Sequence, residues 1–221
     1  MNIMEFLKLR MIHICIPTIK KDNNKLAEDI KNTMDDLNYQ IVFGDLITCA
    51  GKNRNYAMKK SNAKDGDIII LIDDDITGFY KNWCLDLLKP LIENQDNISM
   101  VVPRLLNSSG GIGMQLGDGG EAYDESKDIQ MCIHTKETQL NISCSACMAF
   151  FKNDIYFCEE YRISNYEDSD LCMLFGKQFP NKKIYINNNC KLIHLGESKM
   201  KTTETTLFNK QLFAKRWGIP I

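Results

Sequence analysis

Ile68-Ile69-Ile70-Leu71-Ile72-Asp73-Asp74-Asp75 is a greasy run that stops abruptly in three carboxylates. Five consecutive apolar residues, four of them β-branched, suit a strand buried on both faces, as the inner strands of a parallel sheet are. The acids then fall at the carboxyl end of that strand, where open α/β sheets place their ligands. Three like charges this close repel one another unless a cation or a set of donors offsets them. A divalent metal carrying a phosphorylated ligand is therefore the functional reading, and an acidic turn solvated at the surface is the bland one.

The pattern on either side of this strand predicts alternating elements. Residues 11–16 read as a first strand that stops at Pro17-Thr18, a ligand-facing loop. A helix is expected from about residue 22, with Leu26, Ile30, Met34 and Leu37 forming one apolar stripe. A strand over 40–48, a helix over 52–64 and the Gly66-Asp67 turn lead into the 68–72 strand. Strand, helix, strand, helix, strand is a parallel nucleotide-binding half. Further on, the pattern predicts a helix over 81–93 and a strand over 98–102 closed by Pro103. Periodicity is lost across 107–146, and the glycines of the 107–144 stretch suggest a loop that orders over a ligand. Order returns with a strand over 147–151, a helix from 166 to 175, strands over 183–186 and 190–194, and an amphipathic stretch over 203–217. With no internal repeat and no Pro- or Ser-rich linker, the chain reads as one α/β domain with a mostly parallel central sheet.

Composition narrows the function classes. A formal charge of -2 supplies no global basic field, which argues against a strongly electrostatic nucleic-acid binder. No apolar run approaches the roughly 18 residues that span a bilayer. Charged residues interrupt the apolar stretch of residues 1–11, so it does not resemble a signal peptide. A soluble cytoplasmic protein is expected, with peripheral contact to a membrane surface compatible with the sequence. Several of the nine cysteines (Cys15, Cys172, Cys190) lie within apolar strand or helix patterns and read as reduced packing residues. Cys144 and Cys147 form one isolated pair without the second pair that a zinc ribbon needs.

A second acidic cluster stands at Tyr166-Glu167-Asp168-Ser169-Asp170-Leu171. It falls in the first turn of an expected helix, where acids are also favoured simply by the helix dipole. Some 25 residues later a strand delivers His194 in Lys191-Leu192-Ile193-His194. A lone histidine closing an apolar strand is often structural, yet neutral imidazole is also a common partner of carboxylates around Mn²⁺-like ions.

Taken in order, these pieces resemble the family 2 glycosyltransferases of the GT-A fold, in particular compact bacterial and phage members related to rhamnosyl- and other polysaccharide-building transferases. The likeness is carried by Ile16-Pro17-Thr18, by Lys52-Asn53-Arg54-Asn55-Tyr56-Ala57, and by Leu71-Ile72-Asp73-Asp74-Asp75. It continues through Ser145-Ala146-Cys147-Met148-Ala149-Phe150-Phe151-Lys152, Glu159-Glu160-Tyr161, the 166–172 acidic stretch and His194-Leu195-Gly196-Glu197-Ser198. The resemblance implies a single GT-A domain over 1–221, with residues 11–103 as the nucleotide-sugar-binding half. Residues 104–221 would then form the acceptor-binding and catalytic half.

It also implies roles. Asp73 and Asp75 look like an Asp-x-Asp pair, the first near the donor ribose and the last on a Mn²⁺ or Mg²⁺ ion, with His194 as the late metal ligand. Pro17, Thr18, Asp45, Arg54, Asp73 and Asp74 fall on the donor side, Arg54 as the cationic contact to donor phosphate or base. Asp168 looks like the catalytic base that takes a proton from an acceptor hydroxyl. Glu167 and Asp170 would orient that site or bind acceptor. One base and a departing diphosphate on opposite faces of the sugar imply inversion. The expected partners are a nucleotide-sugar donor and a glycan or glycolipid acceptor.

The chain departs from the family pattern after the second strand, where Gly44-Asp45-Leu46-Ile47 leaves only Asp45 to hold base and ribose. Other readings compete. Transfer to hydroxymethylated bases of phage DNA is one, for which Lys199, Lys201, Lys210, Lys215 and Arg216 would meet phosphates. A nucleotidyltransferase is another, although the stretch from Pro17 to Lys25 lacks the glycine-rich loop it needs. A catalytically silent sugar-binding module is the third.

Overall fold

The computed structural model describes residues 2–18, 24–34, 37–45, 48–110, 146–196 and 202–218. Its centre is β3 (Ile68–Ile72), all five of whose residues are fully buried. Side chains alternate across the strand. Ile68, Ile70 and Ile72 join one apolar cluster and Ile69 and Leu71 another, so both faces of the sheet are covered. Burying each such side chain contributes roughly 1.5–3 kcal/mol, which explains why this stretch anchors the fold.

Among the described residues seven strands form a single sheet in the order β2-β1-β3-β6-β5-β7-β4. β1 (Ile12–Pro17) lies parallel to both β2 (Tyr39–Gly44) and β3. β6 (Cys147–Phe151) is inserted antiparallel between β3 and β5 (Ile98–Leu106), and β7 (Lys183–His194) runs parallel to β5. Two-residue β4 (Ile76–Thr77) closes the edge, antiparallel to β7. Five strands therefore point one way, and only β6 and β4 oppose them, which makes the sheet mostly parallel.

Helices cover both faces. On one side lie α1 (Ile3–Lys8), α2 (Asn24–Lys31) and α4 (Trp83–Glu93). On the other lie α3 (Ala50–Lys60) and α5 (Glu167–Gln178). The last helix, α6 (Thr203–Trp217), sits apart with its own small cluster of Phe213, Tyr161 and Met173. Among the described residues no helix is long and apolar enough to cross a membrane, and the seven described cysteines form no disulfide.

Several expected boundaries move, each for a physical reason. The strand expected to close at Pro103 runs on to Leu106. Proline has no amide proton to give its neighbour, and the β5·β7 register jumps at this point, from Pro103 opposite Asn187 to Arg104 opposite Lys191. The same jump joins the two strands expected over 183–186 and 190–194 into the one bulged strand β7. Helix α4 tolerates Pro90 in its interior because the Asp86 carbonyl that Pro90 cannot serve accepts instead from the Asn187 side-chain amide of β7.

Helix α2 ends at Lys31, before Met34 and Leu37, and β2 ends at Gly44 rather than at 48. A Cβ at Gly44 would lie 2.4 Å from Asn53 Oδ1 and 2.8 Å from the Asn53 carbonyl oxygen, so α3 crosses against bare backbone there. Two elements had no expectation. These are β4 and the helix α1, which is capped reciprocally by Asn2 and Glu5. The expectations placed on Asp22, on residues 111–145 including Cys144, and on Glu197, Ser198, Lys199 and Lys201 lie outside the described residues.

Candidate active site

The carboxyl ends of β1, β2 and β3 open on one edge of the sheet, and the acids follow β3 directly. Asp73 is held by its amide, which donates to the Ala146 carbonyl at 2.7 Å, and a tight turn returns Ile76 N to Asp73 O at 3.2 Å. That turn creates β4, whose Ile76 pairs with His194 at the end of β7. The Leu195 amide donates to Asp75 O at 3.0 Å, completing the junction. His194 thereby reaches Asp75, Nε2 lying 3.3 Å from Oδ1.

Ligand atoms of Asp73, Asp75 and His194 all lie within 4.8 Å of one another. Two carboxylates and an imidazole at this spacing, all partly exposed, suit a divalent ion of the Mg²⁺ or Mn²⁺ kind. Asp74, in the turn, accepts the Thr18 hydroxyl at 2.6 Å. This ties the loop after β1 to the acidic turn, and the Thr18 amide donates to Gly44 O at 3.1 Å on the far side.

Behind the metal-side carboxylates lies Arg54 of α3, only 4% exposed. Its Nη2 donates to both oxygens of Asp73, at 2.8 and 2.9 Å, and its Nη1 donates to Glu167 Oε1 at 3.0 Å. The guanidinium carbon lies 5.4 Å from the Phe157 ring centroid. Arg54 therefore links the end of β3 to the start of α5. Its fork is engaged by carboxylates of this chain, whereas the resemblance implies a contact to donor phosphate or base.

Glu167 is buried as well. Burial, and then the charge of Asp168, push its carboxyl up to about 7 against the pull of Arg54. Glu167 Oε2 and Arg54 Nε have no hydrogen-bond partner among the described residues.

Asp168, half-buried, follows in the first turn of α5 and accepts its neighbour's amide, Ser169 N, at 2.9 Å. Asp170 has a different fate. It is fully buried, and its Oδ1 accepts from Arg216 Nε at 2.8 Å, Trp217 Nε1 at 2.8 Å and the Tyr161 hydroxyl at 3.2 Å. Arg216 Nη2 donates to Oδ2 at 3.2 Å. Asp170 thus anchors α6, whereas the resemblance implies that it orients the site or binds acceptor. Glu167 is 3% exposed and turned to Arg54.

Among the donor-side expectations, Pro17 ends β1 beside Thr18, on the same sheet edge as the acids. Asp45 lies exposed just past β2, 3.6 Å from Lys60 Nζ. Sequence reasoning missed Asn55, which works like a short piece of strand. It accepts from Phe157 N at 2.9 Å and donates to Phe157 O at 2.9 Å and to Glu159 Oε1 at 3.0 Å. The only signal available was its place in the Lys52-Asn53-Arg54-Asn55 stretch.

No family model matches the sequence, and no curated protein matches it either. Solved structures do match. Glucosyl-3-phosphoglycerate synthase from Mycobacterium tuberculosis, in complex with phosphoglyceric acid, aligns with a TM-score of 0.60 at 12% identity, covering 99% of this chain and 84% of that chain. The fold is GT-A. The same enzyme with Mg²⁺ and uridine diphosphate gives 0.58 at 11% identity, over 99% and 84% of the two chains. Its complex with Mn²⁺, uridine-diphosphate-glucose and phosphoglyceric acid gives 0.55 at 12%, with the same coverage. In the GT-A frame of this chain, the carboxylate-imidazole group stands at the strand ends, where an α/β sheet of this kind receives its ligand.

Proposed function

We propose that this chain is a metal-dependent glycosyltransferase that moves a sugar from a nucleotide-sugar donor to a hydroxyl of a glycan or glycolipid, with inversion at the anomeric carbon. The observation that carries the reading is the convergence of Asp73, Asp75 and His194 within 4.8 Å at the carboxyl edge of a GT-A sheet, with Glu167 joined to it through Arg54 and Asp168 next along α5. A bound divalent ion would supply Lewis-acid neutralisation of the diphosphate charge. The solved neighbours support the same direction, because their complexes contain Mg²⁺ or Mn²⁺ with uridine diphosphate or its glucose conjugate.

Each of this chain's residues then has a task. Pro17, Thr18 and Asp45 border the donor side, and Thr18 is braced by Asp74. Arg54 stays charged between Asp73 and Glu167 and keeps the two acidic clusters from repelling each other. Asp168 takes the proton of the acceptor hydroxyl as its oxygen bonds the anomeric carbon. The bond from that carbon to the diphosphate oxygen breaks, and its electron pair leaves with the nucleoside diphosphate. The near-neutral charge of the chain, and the engagement of Arg216 by Asp170, favour a glycan over a DNA acceptor.

The test is a screen of nucleotide sugars for Mn²⁺-dependent protection against melting, followed by a transfer assay in which the product's anomeric configuration is read by NMR. Protection by one donor that requires the metal, with transfer of its sugar, is the expected result. Failure of every nucleotide sugar and every nucleoside diphosphate to shift the melting curve would overturn the reading. A retained configuration would remove the inverting step alone.

A further inference from the structure

Helix α6 adds nothing to the sheet, and its side chains converge on one short segment of the molecule. Fully buried Asn209 accepts from Arg162 N at 2.8 Å and donates from Nδ2 to the carbonyls of Arg162 at 2.8 Å, Asn165 at 3.1 Å and Ser164 at 3.2 Å. Phe208 lies 3.8 Å under the Arg162 guanidinium, and Phe213 meets the Tyr166 ring at 5.5 Å between centroids. Arg216 and Trp217 hold Asp170, one helical turn further on. From the opposite side, Ala50 N at the start of α3 donates to Ile163 O at 2.6 Å.

The segment so gripped is strained. Ile163, Asn165 and Tyr166 have φ of 57°, 102° and 69°, a region that L side chains other than Asn and Asp rarely enter, and a β-branched residue is the worst suited to it. Ser164 between them keeps a buried hydroxyl without a hydrogen-bond partner among the described residues. Three such residues in a run of four persist only where surrounding structure over-determines them. Here the surrounding structure is α6, and the residues that follow immediately are Glu167 and Asp168.

We propose that α6 is a splint for this turn and that Asn209 is a positioning residue: by bonding the backbone of 162–165 it fixes the strained path that delivers Asp168 to the site. The inference rests on the reading of Asp168 as the catalytic base. Local sequence would let the turn relax toward ordinary backbone angles, which would rotate the first turn of α5 away from Arg54 and the metal-side carboxylates. Donor binding, which depends on the β1 to β3 edge, would be untouched.

Three full-length variants test it: Asn209→Ala, Phe208→Ala, and Asn209→Ala combined with Ile163→Gly. Turnover, donor KM and amide hydrogen exchange over 162–170 are measured for each. Asn209→Ala is expected to speed exchange across 162–166 and lower kcat roughly ten- to hundredfold, as a misaimed catalytic group does, with donor KM unchanged. Adding Ile163→Gly should recover part of that kcat, because glycine takes positive φ without steric cost. If Asn209→Ala does not fold, Phe208→Ala carries the test, with the same split between kcat and KM at smaller size.

A lowered melting temperature with exchange at 162–166 and kcat unchanged would overturn the proposal. So would a loss of kcat that the glycine variant does not relieve. Should the wild-type protein transfer no sugar from any donor, the glycosyltransferase reading falls while the exchange measurement still decides whether α6 holds the turn.

Discussion

The chain carries two acidic clusters of similar composition, Asp73-Asp74-Asp75 and Glu167-Asp168-Ser169-Asp170, and the fold treats them in opposite ways. In the first, the turn after β3 splays the acids. Asp73 and Asp75 converge with His194, while Asp74 braces Thr18. In the second, the helix winds the acids inward. Asp170 is fully buried under donors from α6 and from Tyr161, Glu167 is buried on Arg54, and only Asp168 keeps a partly open face. A carboxylate's role is thus set by which donors the backbone aims at it. In the first cluster a tight turn, closed by Ile76 N on Asp73 O, does the sorting, whereas in the helical turn the approach of other elements does it.

The contrast can be broken at its strongest point first. Asp75→Ala, or thorough chelation of the wild type, should abolish sugar transfer, and Mn²⁺ or Mg²⁺ should restore it only to the chelated wild type. Full activity in chelator would remove metal dependence. Next in size, Asp168→Asn should cut turnover roughly hundred- to ten-thousandfold, the range for lost acid-base catalysis, with donor binding and melting temperature nearly unchanged. A rate near that of the wild type would remove the base assignment.

Asp170→Asn should do the reverse, because it deprives Arg216 and Trp217 of a buried anion. A loss of about 2–3 kcal/mol in urea unfolding is expected, toward the low end for a broken buried pair since Arg216 is partly exposed and Asn keeps one acceptor oxygen. Glu167 offers a pH test. Its carboxyl is raised to about 7 in the folded protein, so the fold binds this proton more tightly than the unfolded chain does. The stability it contributes is complete below the ordinary value of 4.5 and disappears as pH rises through about 7. Glu167→Gln should flatten melting temperature against pH across that window, and an unchanged slope would contradict the burial argument. Smallest of all, Asp74→Ala should cost about 1 kcal/mol for the Thr18 hydrogen bond and raise donor KM more than it lowers kcat. A loss as large as that of Asp75→Ala would mean that the turn does not separate Asp74 from its neighbours.

Much of the fold was legible in local pattern. The strands over 68–72 and 147–151 stand where local pattern placed them, and the amphipathic stretch over 203–217 is helix α6. Each either buries a short run of apolar residues or carries its own cap, as Thr202 does for α6, so its limits are written nearby in the chain. The limits that moved depend on distant partners. Pro103 would close a strand on local grounds, but a bulge in β7, some 85 residues away, absorbs the missing donor. Strand β4 is two residues long and exists because His194 arrives beside it.

The same division runs through the candidate site. Residue type and order along the chain point to Asp73, Asp75 and His194, which the fold brings together, since a buried strand ending in acids is a local feature carrying chemical meaning. Nothing local separates Asp168 from Asp170, or marks Arg54 as a bridge between carboxylates. Those distinctions depend on α6 docking Arg216 and Trp217 over one acid and on α3 laying its guanidinium between two others. Such contacts join residues 19 to 113 positions apart. Sequence pattern carries information over a few turns of backbone, whereas the desolvation and pairing that assign a charge its role arise only when distant elements close around it.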